Sequence, residues 1–424
     1  MREQKNENGI FKEYKPASYW KDGYCSAALK EYKQFLSSQS KEKTTKATDK
    51  KARTFFQLSS FVESTANAKL KFPEKLPYRF ISSLLTKPFV ILTGLSGSGK
   101  TKLAEAFSLW ISEAPDKQIR MVSVGADWTN REPLLGYPNA LEQGRYVKPD
   151  SRALDLILNA ISNPELPHFL VLDEMNMSHV ERYFADFLSA MESSRRQISL
   201  HPDTPAWKDG DGNWKDGVPD KIELPKNLFI IGTVNIDETT YMFSPKVLDR
   251  AQVIEFRVSK DEMADFLAAP APVDMTELKG RGASMGADFV LKAQQAYSAP
   301  VNLPAAILPF FDELQNAGAE FGYRTASEIS RFVSICTDLS AGVMQPEDVI
   351  DAAIMQKLLP KVHGSRNKIE KILRLLGQRC LIDPAKEPFK KDESGPATYP
   401  VSYEKIKRMH HRVIADGFTS YAEA

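Results

Sequence analysis

Short, mostly apolar runs alternate with segments of helical period in the middle of the chain. Five such runs are candidates for buried strands, at 89–93, 120–124, 169–172, 228–233 and 253–256. Between them, apolar residues recur three and four positions apart, over Leu103–Ile111 and again over Val180–Met191. Strands that are apolar on both faces, with amphipathic helices between them, are typical of a parallel sheet covered by helices on both sides. The pattern therefore predicts an α/β core with five strands.

Helical period dominates the C-terminal half of the chain. The spacing predicts helices near 304–317, 325–338, 346–359 and 366–377, and a last helix over 402–416 that ends at Gly417. The polar and Pro-containing stretch from Asp383 to Tyr399 reads as a tail before this last helix. A second, all-helical domain is expected after the α/β core.

Shifts in composition and patterning divide the chain into six segments. We predict a basic N-terminal helical segment with its linker, a helical lead-in, the α/β core with a projecting hairpin, a connector, a helical lid domain, and a C-terminal tail with a helix. These segments span 1–52, 53–86, 87–260 with the hairpin insertion at 198–224, 261–303, 304–385 and 386–424. The tip of the hairpin is expected to be loose because turn residues dominate it.

Composition then excludes several classes of protein. No apolar run is long enough to cross a bilayer and the chain starts with a polar stretch, so we expect a cytoplasmic protein with no membrane partner. The three cysteines lie far apart, so the sequence suggests neither a disulfide framework nor a cysteine zinc site. The six histidines have no metal-ligand spacing. Residues 1–80 carry 17 lysines and arginines against nine acidic residues, although the whole chain has a net charge of only +1. This basic segment is either an arm for nucleic acid or a solvated lead-in.

The strongest chemical signal follows the first predicted strand. Gly94, Leu95, Ser96, Gly97, Ser98, Gly99, Lys100 and Thr101 match the full G-x-x-x-x-G-K-[ST] pattern. The glycines let backbone N–H groups and the start of the next helix face a polyphosphate. Lys100 is predicted to reach the β- and γ-phosphates, and Thr101 to be a ligand of Mg²⁺.

Two carboxylates stand at the end of the third predicted strand. Asp173 follows the apolar run 169–172 and is expected to help hold Mg²⁺, whereas Glu174 is expected to act as the base that polarises an attacking water. The fourth strand ends in Asn235, which we predict to help position that water. A capping or turn-forming role before Asp237 is the alternative for Asn235.

The order of these elements, followed by Leu248-Asp249-Arg250 before a short strand, resembles the AAA+ superfamily. Within it, Asp173-Glu174-Met175-Asn176, Gly232-Thr233-Val234-Asn235 and Leu134-Leu135-Gly136-Tyr137 are similar to phrases of the McrB-like motor proteins, the nucleotide-hydrolysing subunits of modification-dependent restriction systems. The resemblance covers about residues 85–380. It implies an AAA+ P-loop αβα sandwich with a five-stranded parallel sheet and a helical lid.

The resemblance also implies an assembly. Such proteins form rings, commonly hexamers, that bind nucleotide between subunits and recruit an McrC-like nuclease that acts on DNA. Arg250 matches the arginine that acts on the neighbour's γ-phosphate. Arg324 matches the lid position of a second sensing arginine, or else it is a salt-bridge residue at a helix end; the segment 363–366 is another candidate for the sensing role. The loop Asp127–Arg131 faces the pore or a partner in such rings, or else Trp128 only anchors it.

The sequence is compatible with more than one nucleotide and more than one kind of partner. The resemblance favours GTP as the substrate, with Mg²⁺, and the wider superfamily favours ATP. Glu238 stands where the McrB-like pattern has Asp, and only about 85 residues precede the P-loop strand, so recognition of modified DNA is expected to belong to a partner. The leading hypothesis is a ring NTPase that drives a nuclease in defence against foreign DNA. The alternatives are a remodelling ATPase similar to the MoxR group and a scaffold that binds nucleotide without turning it over.

Overall fold

The computed structural model describes residues 54–236, 241, 243–316, 318–390 and 395–421. The five predicted strands form one parallel sheet. They are β1 (Phe89–Gly94), β2 (Ile119–Ser123), β3 (His168–Asp173), β4 (Leu228–Asn235) and β5 (Gln252–Phe256). Apart from β2, nearly every strand residue is buried, as expected for a sheet with both faces covered. The structure confirms the predicted AAA+ α/β fold with a helical C-terminal region.

The strand order is β2-β3-β4-β1-β5, so the P-loop strand lies between β4 and β5. Gly94 at the end of β1 pairs with Asn235 on one side and with Phe256 on the other. Ser123 at the end of β2 pairs with Asp173. All strands are parallel, so these residues share one edge of the sheet, called the carboxyl edge below. The edge where the strands begin is the amino edge.

Helices cover the sheet because each one buries an apolar face. Phe107 on the helix after the P-loop contacts Phe169 of β3 at 5.8 Å between ring centroids, and it also contacts Phe61 at 5.3 Å. The predicted helix over 180–191 is broken at Phe184 into a helical turn, Val180–Tyr183, and a separate helix. The helices of this part are α1 (Leu58–Asn67), α2 (Leu76–Thr86), α3 (Lys100–Ile111), α4 (Ala153–Ser162) and α5 (Ala185–Glu192).

An antiparallel hairpin, Gln197–Ser199 with Lys221–Glu223, stands between β3 and β4. Its tip differs from the loose tip that the sequence predicts. His201 stacks on Trp207 with centroids 4.0 Å apart, and Trp207 is buried. The backbone N–H of Tyr146, in a neighbouring hairpin, donates to Asp216 at 3.0 Å. Aromatic packing therefore closes the tip although turn residues dominate its sequence.

The predicted connector 261–303 also differs from expectation, because it contains two helices. These are α6 (Lys260–Ala268), which has no buried residue, and α7 (Gly286–Gln294). Phe289 of α7 is fully buried and contacts Phe229 of β4 at 4.9 Å. The segment after β5 thus returns to the sheet and adds a helix to its core.

In the C-terminal region, the described residues include five helices of eight or more residues and a π-helical turn at Ile354–Leu358. The helices are α8 (Leu303–Gln315), α9 (Tyr323–Ser340), α10 (Pro346–Ala353), α11 (Arg366–Cys380) and α12 (Pro400–Asp416). The last helix, α12, packs against the α/β core instead of ending an exposed tail. Lys405 and Arg408 of α12 bind Glu255 of β5 at 2.9 and 2.7 Å, and this covers the outer strand of the sheet. The described residues from Thr54 onward form one compact unit.

Two predictions concern parts of the chain that lie outside the described residues. The basic N-terminal helical segment at 1–52 is one of them, and the stretch 237–240 with Glu238 is the other. Among the helices of the described ranges, none combines the length and the apolar character that a membrane crossing requires.

Candidate nucleotide-binding site

The P-loop connects β1 to α3 with two glycines in left-handed conformations. Gly97 has φ +72° and Gly99, which caps α3, has φ +96°. Residues with a Cβ rarely adopt these values, so the loop shape depends on glycine. At the start of the loop, a Cβ on Gly94 would lie 2.5 Å from the carbonyl oxygen of Phe256. The loop can therefore wrap closely beside β5 only with glycine at this position.

Lys100 is buried and turned toward the loop itself. Its Nζ donates to the carbonyl oxygens of Gly94 at 2.9 Å and Leu95 at 2.6 Å. Ser98 closes the same turn through a backbone hydrogen bond to Leu95 at 3.2 Å. The ammonium group thus lies inside the curve of the P-loop, where the sequence pattern predicts it to meet phosphate.

Asp173 is the centre of a cluster of oxygens at the carboxyl edge. The hydroxyl of Thr101 donates to its Oδ1 at 2.7 Å, and the hydroxyl of Thr233 donates to the same oxygen at 2.6 Å. Hydroxyl and carboxylate oxygens are the ligands that Mg²⁺ prefers, and such sites use few protein ligands with phosphate and water. The described residues contain no group of three or more His, Cys, Asp or Glu side chains placed for a metal.

Glu174 has a left-handed backbone with φ +53°. Such values are uncommon for residues other than glycine and concentrate at functional sites. Its N–H donates to the hydroxyl of Thr233 at 3.1 Å, and its Oε1 accepts from the side-chain amide of Asn235 at 3.2 Å. The structure therefore brings together Thr101, Asp173, Glu174 and Asn235, as the sequence predicts.

Thr233 is the site residue that sequence reasoning missed. It lies one position before the end of the apolar part of β4, where a Thr is also an ordinary strand residue. Its hydroxyl contacts both members of the Asp173-Glu174 pair, because β3 and β4 are adjacent and in register at Leu172 and Gly232. Only strand pairing could have identified it.

Trp128 follows β2 near this edge. Its ring contacts Tyr183 edge to face at 5.4 Å, and its carbonyl oxygen accepts a hydrogen bond from Ser178 at 2.5 Å. Of the two roles open from the sequence, these contacts favour an anchor for the loop.

Arg250 lies at the amino edge of the sheet, whereas the P-loop of its own chain lies at the carboxyl edge. It precedes β5 at the amino edge, and roughly 13 Å of strand, at about 3.3 Å per residue, separate Gln252 from Phe256. Its Nε lies 3.6 Å from Oε1 of Glu192, the last residue of α5. Arg250 is thus remote from its own carboxyl-edge cluster.

Arg324 lies beside Arg250 and not beside the P-loop. Its guanidinium pairs with both Glu192 and Asp249. The role predicted for Arg324, that of a second sensing arginine, stays a prediction. Lys361 binds the other oxygen of Asp249 at 2.6 Å. Burial opposes ionisation of Asp249, but the hydrogen bond and charge of Lys361, with the charge of Arg324, hold the pKa of that carboxyl below its usual value.

Parts of the chain are similar in sequence to known proteins. Residues 288–418 match the family described as Domain of unknown function (DUF8727). Over 165 residues the chain is 24% identical to the Type IV methyl-directed restriction enzyme EcoKMcrB subunit of Escherichia coli (strain K12), a match that covers 38% of this chain and 34% of that protein. The match thus spans about a third of that relative's length.

Solved structures of NtrX from Brucella abortus also align with the chain. The structure in complex with ADP has a TM-score of 0.26 and 14% identity over 68% of this chain and 70% of that one. A second NtrX structure has a TM-score of 0.27 and 12% identity over 79% of this chain and 75% of that one.

The P-loop, the Asp-Glu strand end and the order of the parallel strands together define the class of AAA+ P-loop NTPases. Within this class, the chain is distantly similar to the restriction subunit EcoKMcrB.

Proposed function

We propose that this chain hydrolyses GTP or ATP with Mg²⁺ as the motor subunit of an McrBC-like restriction complex, in which a ring of copies drives a partner nuclease on DNA. The observation that carries the hydrolytic part is the cluster in which Thr101 and Thr233 bind Asp173 while Asn235 binds Glu174. The restriction part rests on the similarity to EcoKMcrB.

The P-loop would hold the polyphosphate. Its N–H groups and the start of α3 offer positive partial charge because the helix dipole and the unpaired N–H groups point toward the loop. The first turn of α3 contains no acidic residue that would oppose this charge. Lys100 would exchange the carbonyl oxygens of Gly94 and Leu95 for phosphate oxygens. Thr101 and Asp173 would hold Mg²⁺, which when bound would neutralise charge on the β- and γ-phosphates.

Glu174 would take a proton from the attacking water. A base needs a fixed position near the water, and two contacts fix this one: its N–H is held by Thr233 and its Oε1 by Asn235. The second carboxylate oxygen, Oε2, would then receive the water proton. Asn235 therefore orients the base in addition to lining the site.

Arg250 and Arg324 would act on the nucleotide of the neighbouring subunit. Both lie at the amino edge, so neither can reach its own P-loop across the sheet without a large rearrangement. In a ring where the amino edge of one copy meets the carboxyl edge of the next, both guanidinium groups approach the neighbour's γ-phosphate. A trans arginine of this kind is worth about 10³–10⁵ in kcat.

The test of hydrolysis compares the wild type with Glu174→Gln. This variant keeps the shape of the side chain and the Mg²⁺ ligand Asp173, so it should bind GTP or ATP and turn it over about 10²–10⁴ times more slowly. Binding is measured by calorimetry and turnover by phosphate release with each nucleotide. Wild-type turnover in Glu174→Gln would assign the base to another residue.

The test of the partner uses the same trapped variant. Rings of Glu174→Gln are purified from the native host with nucleotide, and the associated protein is identified by mass spectrometry. The proposal expects a nuclease that cleaves DNA only with wild-type chain and hydrolysable nucleotide. A bound protein that is instead remodelled, with no DNA cleavage, would favour the MoxR-like alternative and contradict the restriction role.

A further inference from the structure

Glu192 occupies an unusual position for a carboxylate. It is the last residue of α5, where the helix end carries partial negative charge and an acidic side chain is normally unfavourable. Its two oxygens meet two different arginines: Oε1 faces Nε of Arg250 at 3.6 Å, and Oε2 binds Nη1 of Arg324. The two cations offset the unfavourable position of this carboxylate.

The carboxylate of Glu192 also stabilises the two arginines beside each other. Two guanidinium groups that lie side by side repel each other, and a shared anion removes this repulsion. Arg324 comes from the C-terminal helical region and Arg250 from the loop before β5, so no covalent connection keeps them together. Glu192 and Asp249 are the acidic side chains that bind Arg324 among the described residues, and of these only Glu192 also contacts Arg250.

Other basic residues around this pair are already engaged. Lys361 binds Asp249, and Lys357 binds Glu328 at 2.6 Å while it donates to the carbonyl oxygens of Asp249 and Ala251. Glu328 also binds Lys87, just before β1. These contacts fix the backbone around Arg250 and the start of α9. The relative position of the two guanidinium groups then depends on the pairs that Arg324 makes with Asp249 and Glu192, of which only Glu192 binds both guanidinium groups.

We propose that Glu192 is a positioning residue that holds Arg250 and Arg324 together as one two-arginine unit for the nucleotide of the neighbouring subunit. This inference rests on the proposed function in trans. Glu192 also ends the segment that begins at the catalytic pair, since β3 leads through Glu174 to α5, whose eight residues span about 12 Å. One chain segment thus joins the base of one site to the arginines offered to the next.

The test uses two chains that are each inactive alone. A Lys100→Ala chain offers its arginines but cannot hold nucleotide, whereas an Arg250→Ala chain holds nucleotide but lacks the finger. In mixed rings, hydrolysis is therefore possible only where the nucleotide of an Arg250→Ala chain faces the arginines of a Lys100→Ala chain. Glu192→Gln is placed on either the arginine-donating or the nucleotide-holding chain, and kcat and KM of the mixture are measured after mixed assembly is verified by mass photometry.

On the arginine-donating chain, Glu192→Gln should lower kcat about tenfold and leave KM nearly unchanged, because the P-loop in use belongs to the other chain. On the nucleotide-holding chain it should have little effect. Asp186→Asn is the matched control, because Asp186 lies on the same helix and its ion pair joins Arg131 instead. On either chain the control should keep the activity of the mixture.

Glu192→Asp keeps the charge and should recover part of the loss. Equal effects of Glu192→Gln on both chains would mean that the residue only supports folding, and no effect on the donating chain would overturn the proposal directly. A different result would contradict the proposed function itself: a mixture of Lys100→Ala and Arg250→Ala chains, both with Glu192 intact, that forms rings but regains no hydrolysis.

Discussion

The side-chain amide of Asn235 donates to Oε1 of Glu174 at 3.2 Å, although 61 residues separate the two along the chain. They meet because β3 and β4 are neighbours and both end at the carboxyl edge. A second contact, from the amide of Asn176 to the carbonyl oxygen of Asn235 at 3.2 Å, joins the same two strand ends. The base is thereby oriented from the strand next to its own.

Replacing Asn235 with Ala should leave nucleotide binding intact and lower kcat by about tenfold, less than the loss in Glu174→Gln. The reason is that Asn235 acts through Glu174, which stays in place but loses the hydrogen bond that orients it. The measurement is steady-state hydrolysis over a range of pH. A loss as large as that of Glu174→Gln, with an unchanged pH profile, would assign Asn235 a direct role on the water.

Thr233→Val should impair both the Mg²⁺-binding group around Asp173 and the position of the base Glu174. Valine has almost the same shape but cannot donate to Asp173 or accept from the N–H of Glu174. Leaving this N–H without its acceptor costs about 1–3 kcal/mol of folding free energy. We expect a lower midpoint in chemical denaturation and a higher Mg²⁺ concentration for half-maximal hydrolysis. Thr233→Ser, which keeps the hydroxyl, is the control and should stay close to the wild type in Mg²⁺ requirement.

Arg250→Ala should spare nucleotide binding and reduce kcat by about 10³–10⁵, as for an arginine that acts across an interface. Mixed with an equal amount of Lys100→Ala, it should regain activity at about one site in four when the two chains assort at random around a closed ring. The measurement is hydrolysis against mixing ratio. Rings that contain both chains but stay inactive at every ratio would show that Arg250 works within its own subunit or only in folding.

The ion pair of Lys405 with Glu255 predicts a dependence of stability on pH. Burial lowers the pKa of Lys405 to about 8, despite the nearby charge of Glu255. Between pH 8 and the usual lysine value of about 10.4, the unfolded chain therefore binds a proton that the folded chain does not. The contribution of this group to the free energy of unfolding is smallest below pH 8 and grows as pH rises through this window.

Lys405→Met should remove this contribution. Its free energy of unfolding, measured by denaturant titration from pH 8 to 9.5, should rise less steeply than that of the wild type, by at most about 1.4 kcal/mol per pH unit. Lys407→Met, on the same helix and with its ammonium nearer the surface, is the matched control for the loss of a lysine. Parallel slopes for the wild type and Lys405→Met would show that Lys405 titrates alike in the folded and unfolded chains.

The amino-acid sequence by itself determined the strands, the P-loop and the residues Asp173, Glu174 and Asn235. This was possible because their signals are local: an apolar run, a glycine pattern and a polar residue at a strand end. The tertiary structure alone decided which distant residues meet. Thr233 enters the site through strand pairing, and Arg324 joins Arg250 because α9 begins at the amino edge. Phe289 enters the core from the segment predicted to be a connector. Sequence patterns record which face of an element is apolar, but the partner of each polar group is fixed only when the elements pack.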